Sequence, residues 1–121
     1  MKGVILFAHG ARNPEWALPI LAIRDCMRAK SRVVRVEAAF LEFIAPQLPQ
    51  AISELVAGGI LDIAIVPMFM AQTGHTKRDL PALLETARTN HPGLIIRVAA
   101  PIGEAPGVVE AIAEYALKQF P

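Results

Sequence analysis

Residues 61–81 read LDIAIVPMFMAQTGHTKRDLP. The run Leu61–Met68 is nearly continuous in apolar residues. That pattern fits a strand covered on both faces better than one with a wet side. The run opens into a loop that carries Gly74 and His75. A helix is expected to begin near Asp79 and Pro81, with the Asp side chain capping backbone N–H groups and the Pro in the first turn. Leu80, Leu83, Leu84 and Ala87 then share one helical face. A buried strand leading through a loop into an amphipathic helix is one unit of a layered α/β fold.

The rest of the chain repeats this unit. Further strand-like runs are Lys2–Ala8, Arg32–Phe40 and Leu94–Ala99. Asn13 and Pro14 signal a helix start, and Trp16, Ile20, Ile23 and Met27 follow at helical spacing. Leu48, Ile52 and Leu55 mark another helix, which ends at Gly58-Gly59, and Val109, Ile112, Ala116 and Phe120 mark the last. The alternation predicts an α/β fold: a single domain over residues 1–121, built as a three-layer sandwich. Its centre is a four-stranded parallel sheet, flanked by helices through right-handed crossovers.

Composition narrows the function. Hydrophobic residues make up 54% of the 121 residues, above the usual share, so part of the apolar surface is expected to be covered by a second subunit. A net charge of +1 gives no basic face for nucleic acid. No apolar run reaches the roughly 20 residues of a membrane span, and Val4–Ala8 is too short for a signal segment, so a cytoplasmic protein is expected. A single cysteine, Cys26, excludes an internal disulfide, fits a reducing compartment, and is expected to be a small buried helix residue. Neither a P-loop, a dinucleotide-binding glycine pattern nor a Gly-x-Ser-x-Gly elbow is present.

Ligands of open parallel sheets bind beyond the carboxyl ends of the strands. His9 follows the first strand, Glu42 the second, His75 the third and Glu104 the fourth. Neighbouring strands lie about 4.8 Å apart, so side chains on adjacent tips can converge on one ion or one reacting atom. Neutral imidazole and carboxylate suit cobalt, iron, nickel or zinc, and three ligands with open positions describe a reactive site. A single strand-end histidine or loop carboxylate is common surface polarity; the convergence carries the reading. His91, in TNHPGL, belongs to the opposite edge and reads as a turn residue.

The segments AHGARNPEW, AAFLEFIAPQLPQAI and IVPMFMAQTGHTKRDLP resemble the three signature segments of the short class II tetrapyrrole chelatases. That group includes short-form sirohydrochlorin cobaltochelatases and sirohydrochlorin ferrochelatases. The family's usual His-Gly-Ser-Arg reads His9-Gly10-Ala11-Arg12 here, without the serine hydroxyl. The resemblance implies that His9 and His75 hold the incoming metal and take up pyrrole protons, with Glu42 assisting. It implies insertion without ATP and, for a chain of this length, a homodimer.

The substrate would then be a polycarboxylate of the sirohydrochlorin type lying over the strand ends. Gly10 and Gly74 would allow close backbone approach, and Arg12, Arg78 and Lys77 would meet its carboxylates. No prosthetic group is expected; the divalent ion, Co²⁺ with Fe²⁺ or Ni²⁺ as alternatives, is itself a substrate. A non-catalytic module binding metal or tetrapyrrole is the competing reading.

Overall fold

The segment KGVILFA forms β1 (Lys2–Ala8), and the His9-Gly10 pair ends it. The computed structural model describes residues 1–72 and 74–121, with His75 represented by its backbone alone. β2 (Val34–Phe40), β3 (Asp62–Pro67) and β4 (Ile95–Val98) complete one sheet in the order β2-β1-β3-β4, and every pairing is parallel. The strands are joined by α1 (Leu18–Lys30), α2 (Leu48–Ala57) and α3 (Gly74–Asn90), and α4 (Pro106–Leu117) follows β4. Short 3-10 turns, Pro14–Ala17 and Ile102–Glu104, lead into α1 and α4. The expected α/β architecture with a four-stranded parallel sheet is observed.

Three helices open with proline in the first two positions: Pro19 in α1, Pro49 in α2 and Pro106 in α4. The missing N–H costs nothing there, because those donors have no partner within the helix. Asn13 accepts a bond from the Glu15 N–H at 3.0 Å, so the expected cap is present, on the 3-10 turn.

One sheet face carries the main core. Ile5 and Phe7 of β1, Ala39 of β2, and Ile63 and Ile65 of β3 pack there against Leu48, Ile52 and Leu55 of α2 and Leu80, Leu84 and Ala87 of α3. Leu55 is fully buried. Leu55→Ala is therefore expected to cost about 2–5 kcal/mol, read as a lower denaturant midpoint with an unchanged slope.

The other face is covered over only half its width. α1 lies on β1 and β2, where Leu6, Ala8, Val36, Ala38 and Phe40 are buried. Over β3 and β4 the same face stays open: Ala64 and Val66 are half-buried and Ile95 is 53% exposed. The helix that would be expected to cover this half, α4, buries none of its residues.

Three sequence expectations need correction. Cys26 is exposed, not buried. α1 turns Ile20 and Leu21 to the sheet, and Cys26, about 140° round the helix from Leu21, faces away from it. Trp16, expected to share one helical face with Ile20, Ile23 and Met27, lies in the 3-10 turn before α1 and is 72% exposed. The third helix starts at Gly74, not near Asp79, and Pro81 lies inside it. Its buried stripe runs Thr76, Leu80, Leu84 and Ala87. Thr76 is polar and masks the first turn of the pattern. Pro81 removes a single i→i−4 bond, and burial of Thr76 and Leu80 on its amino-terminal side holds the helix through it.

Candidate active site

The loops after the strands gather at one edge of the sheet, as the strand-end rule requires. The β1–β2 ladder continues past both strands: the Leu41 N–H donates to the Ala8 carbonyl at 2.9 Å, and the Glu42 N–H to the His9 carbonyl at 3.1 Å. These bonds bring His9 and Glu42 side by side. Both side chains are exposed, as a site open to a ligand requires.

Gly10 makes the approach possible. Its φ of +85° lies in the left-handed region, and a Cβ there would overlap the Glu42 carbonyl oxygen. Any other residue would push the two loops apart.

The His9 ring is positioned by Phe69. The two centroids lie 4.2 Å apart at 31°. Phe69 is 5% exposed and meets Phe7 edge-on at 5.9 Å, so an aromatic column rises from the core and ends in the imidazole. Phe7 and His9 sit two residues apart on one face of β1, and Phe69 follows β3, the adjacent strand. Nothing in the sequence pattern marked Phe69 as the partner of His9.

The segment Met68-Phe69-Met70 divides its work. Met68 packs on the α1 side of the sheet, Phe69 enters the core, and Met70 is 68% exposed at the site's edge. A recess of about 380 Å³ adjoins His9, lined by Gly10, Trp16, Ile20, Phe40 and Met68 among others. Trp16 lines this recess, and Phe43 and Met70, on the segments after β2 and β3, are exposed apolar residues at the same edge of the sheet.

The basic residues take different positions. Arg12 places its guanidinium 5.4 Å from the centroid of the Phe43 ring, a cation–π contact. Phe43 itself adopts φ +68°, rare for an aromatic residue, which sequence periodicity cannot reveal. Arg78 donates from Nε to the Gly74 carbonyl at 3.2 Å, so its head group is drawn back over the first turn of α3. Lys77 is exposed. Gly74 and the backbone of His75 open α3, whose first N–H groups favour an anion.

The expected meeting of His9 with the His75 side chain lies outside the described residues, as does Thr73. Among the described residues no cluster of three or more His, Cys, Asp or Glu side chains forms a metal site. His91 lies at the other end of α3, where its Nε2 is 3.2 Å from the Ser53 hydroxyl, as a turn residue at the opposite edge should be. No helix of the described residues is long and apolar enough to cross a membrane.

Comparison with known proteins adds to this geometry. A family model described as CbiX matches residues 3–118. The chain is 32% identical over 114 residues to the sirohydrochlorin cobaltochelatase of Sulfurisphaera tokodaii, covering 94% of this chain and 90% of that protein. It is 36% identical over 84 residues to the sirohydrochlorin cobaltochelatase of Methanococcus aeolicus, covering 69% of this chain but only 59% of that protein. Among solved structures, a CbiX protein from Marinobacter aquaeolei VT8 superimposes with a TM-score of 0.84 at 26% identity, over 98% of this chain and 97% of that one. The fold also matches 50% of the sirohydrochlorin chelatase SirB from Bacillus subtilis subspecies spizizenii, solved in complex with cobalt, with a TM-score of 0.82 at 24% identity over 98% of this chain.

Proposed function

The chain belongs to the CbiX family, and from that premise we propose that it is a metal chelatase that inserts Co²⁺ into sirohydrochlorin, without ATP, as a cytoplasmic homodimer. The observation that carries the reading is His9, presented at the carboxyl edge of the sheet on the Phe69 ring, with the Glu42 loop bonded beside it. The relatives named as sirohydrochlorin cobaltochelatases point to the substrate and the ion.

Insertion breaks two pyrrole N–H bonds, forms metal–nitrogen bonds in their place, and strips water from the ion. Imidazole serves both needs, since near neutral pH it can ligate a metal or accept a proton. In this reading His9 and His75 receive the ion and the released protons. Glu42 takes up a proton or offsets the charge of the dication. The macrocycle lies over the strand ends against the exposed apolar residues of that edge. Arg12, Arg78 and the opening N–H groups of α3 meet its carboxylates. Ala11 stands where the family usually has serine, so hydroxyl chemistry at that position has no part in the mechanism.

The test is an insertion assay. Purified protein is mixed with sirohydrochlorin and Co²⁺, Fe²⁺ or Ni²⁺, and the absorbance of the macrocycle is followed against a control without protein. Cobalt insertion well above the control, and faster than with the other ions, is the expected result. Preference for Fe²⁺ would redirect the reading to siroheme formation. Tight macrocycle binding with no acceleration for any ion would refute the enzyme and leave a binding module.

A further inference from the structure

The segment after β2 holds a bulky residue where the backbone disfavours one. Phe43 has φ +68°, in the left-handed region, and the Ile44 N–H donates to the Glu42 carbonyl at 2.8 Å. That bond closes a three-residue turn centred on Phe43, the rarer and strained form of the γ-turn. Glycine or asparagine would adopt the angle at lower cost. The turn has little room to relax. On one side the Leu41 and Glu42 N–H groups bond the Ala8 and His9 carbonyls, and the Glu42 carbonyl oxygen fills the place that a Cβ of Gly10 would take. On the other side Ile44 packs against the cluster of Ala8, Ala17, Ala38 and Phe40, and the Phe40 N–H bonds the Pro46 carbonyl at 2.9 Å.

Burial of the ring does not account for that strain. Phe43 is 57% exposed and belongs to neither core cluster, whereas Phe7, Phe40 and Phe69 are buried. The ring meets Arg12, whose guanidinium carbon lies 5.4 Å from its centroid. Arg12 is exposed, and among the described residues no carboxylate pairs with it. Contact with an aromatic ring steers a guanidinium and leaves its N–H fork for a planar anion. Arg12 comes three residues after His9, and Phe43 directly after Glu42. The pair therefore bridges the two loops that carry the site residues, beside the backbone bond that joins them.

We propose that Phe43 is a positioning residue: its strained turn places the ring where it holds the Arg12 guanidinium ready for a carboxylate at the periphery of the macrocycle. The proposal rests on the tetrapyrrole substrate of the function given above and supplies one of its carboxylates with a prepared partner. A long arginine side chain loses rotamer freedom when it binds, and an aromatic support removes part of that freedom before the ligand arrives. The contribution belongs to substrate binding and not to the metal or proton steps, which fall to His9, His75 and Glu42. It also makes the two residues interdependent: without Arg12 the ring has nothing to position.

A double-mutant cycle tests this. It is read as the Kd of metal-free sirohydrochlorin by absorbance titration, and as KM and kcat for cobalt insertion. Phe43→Leu keeps an apolar side chain and removes the ring; Kd and KM are expected to rise about 2–5-fold, the worth of an exposed cation–π contact, with kcat unchanged. Arg12→Ala is expected to raise both by about tenfold or more, as loss of a charge-assisted bond does. The double variant should bind no more weakly than Arg12→Ala alone. Phe43→Tyr keeps the ring and should match the unmodified protein. Phe43→Asn accepts the left-handed angle but has no such ring, so it should weaken binding as Phe43→Leu does while its Tm stays at or above that of the unmodified protein. An unchanged Kd in Phe43→Leu would overturn the proposal. Additive losses in the double variant would overturn it in favour of a direct platform for the macrocycle, and a fall in kcat at constant KM in favour of a part in the chemistry. An unmodified chain that binds sirohydrochlorin without inserting cobalt loses the chelatase reading, and the cycle in Kd still decides the role of Phe43; a chain that does neither defeats both.

Discussion

Cobalt insertion is expected to slow by about 10²–10⁴-fold in His9→Ala, the range for loss of a positioned acid–base group. The fold should barely respond. His9 is exposed, and its packing consists of the contact with Phe69 at 4.2 Å, at the edge of the aromatic column. Losing that contact is expected to lower Tm by only about 2–5 °C, given about 0.5–1.5 kcal/mol for an aromatic pair and less for an exposed one. His9→Phe separates the two contributions. A phenyl ring can keep the stacking on Phe69, and hence the Tm, but has no nitrogen to bind a metal or accept a proton. Both variants should therefore lose insertion while differing in stability. If His9→Phe inserted cobalt at the normal rate, His9 would be a packing residue and the chemistry would lie elsewhere. His75→Ala, assayed alongside, should match His9→Ala in rate if the two imidazoles act on the same ion.

How much of this was legible in the sequence follows from what kind of signal each feature leaves. β1 is bounded by a step from apolar Ala8 to polar His9, and its limits are those the sequence pattern gives. β3 and β4 were located by their continuous apolar runs, but those runs predict cover on both faces, and the face carrying Ala64, Val66 and Ile95 is open. Helix faces are harder. Trp16, in the 3-10 turn before α1, and Ile23, in α1, lie at helical spacing yet face outward, while small Ala17 of the same turn faces in. Periodicity locates a helix more surely than it chooses among adjacent stripes. On α3 one buried threonine hides a whole turn. The stripe on α4 was legible, but a sequence cannot state which surface covers it, since a helix leaves the same pattern whether its partner belongs to its own chain or to another. At the site, His9 and Glu42 were singled out because each follows a strand and so belongs to the carboxyl edge; the strand order that makes their loops neighbours was not read from the sequence. Phe69 and Phe43 were not, because their roles depend on ring orientation and on a left-handed backbone angle, neither of which has a spacing to read.

Gly10→Ala is expected to lower Tm by roughly 10–15 °C and to reduce insertion by at least about tenfold in the protein that remains folded. Two costs combine there. A side chain at φ +85° carries roughly 1–2 kcal/mol of left-handed strain. A Cβ would also occupy the position of the Glu42 carbonyl oxygen, so the β2 loop must move and the Glu42-to-His9 backbone bond at 3.1 Å must lengthen or break. Gly59 isolates the first cost. Its φ of +87° is nearly the same, but a Cβ at that position has no neighbour within 4 Å, and it lies between α2 and β3, at the edge remote from His9. Gly59→Ala should therefore lower Tm by only about 4–8 °C and leave the insertion rate unchanged. The difference between the two variants measures the contact of the His9 and Glu42 loops. If they lost equal stability, that contact would contribute nothing to the fold. If Gly10→Ala also inserted cobalt normally, the alignment of His9 with Glu42 would have no part in the reaction.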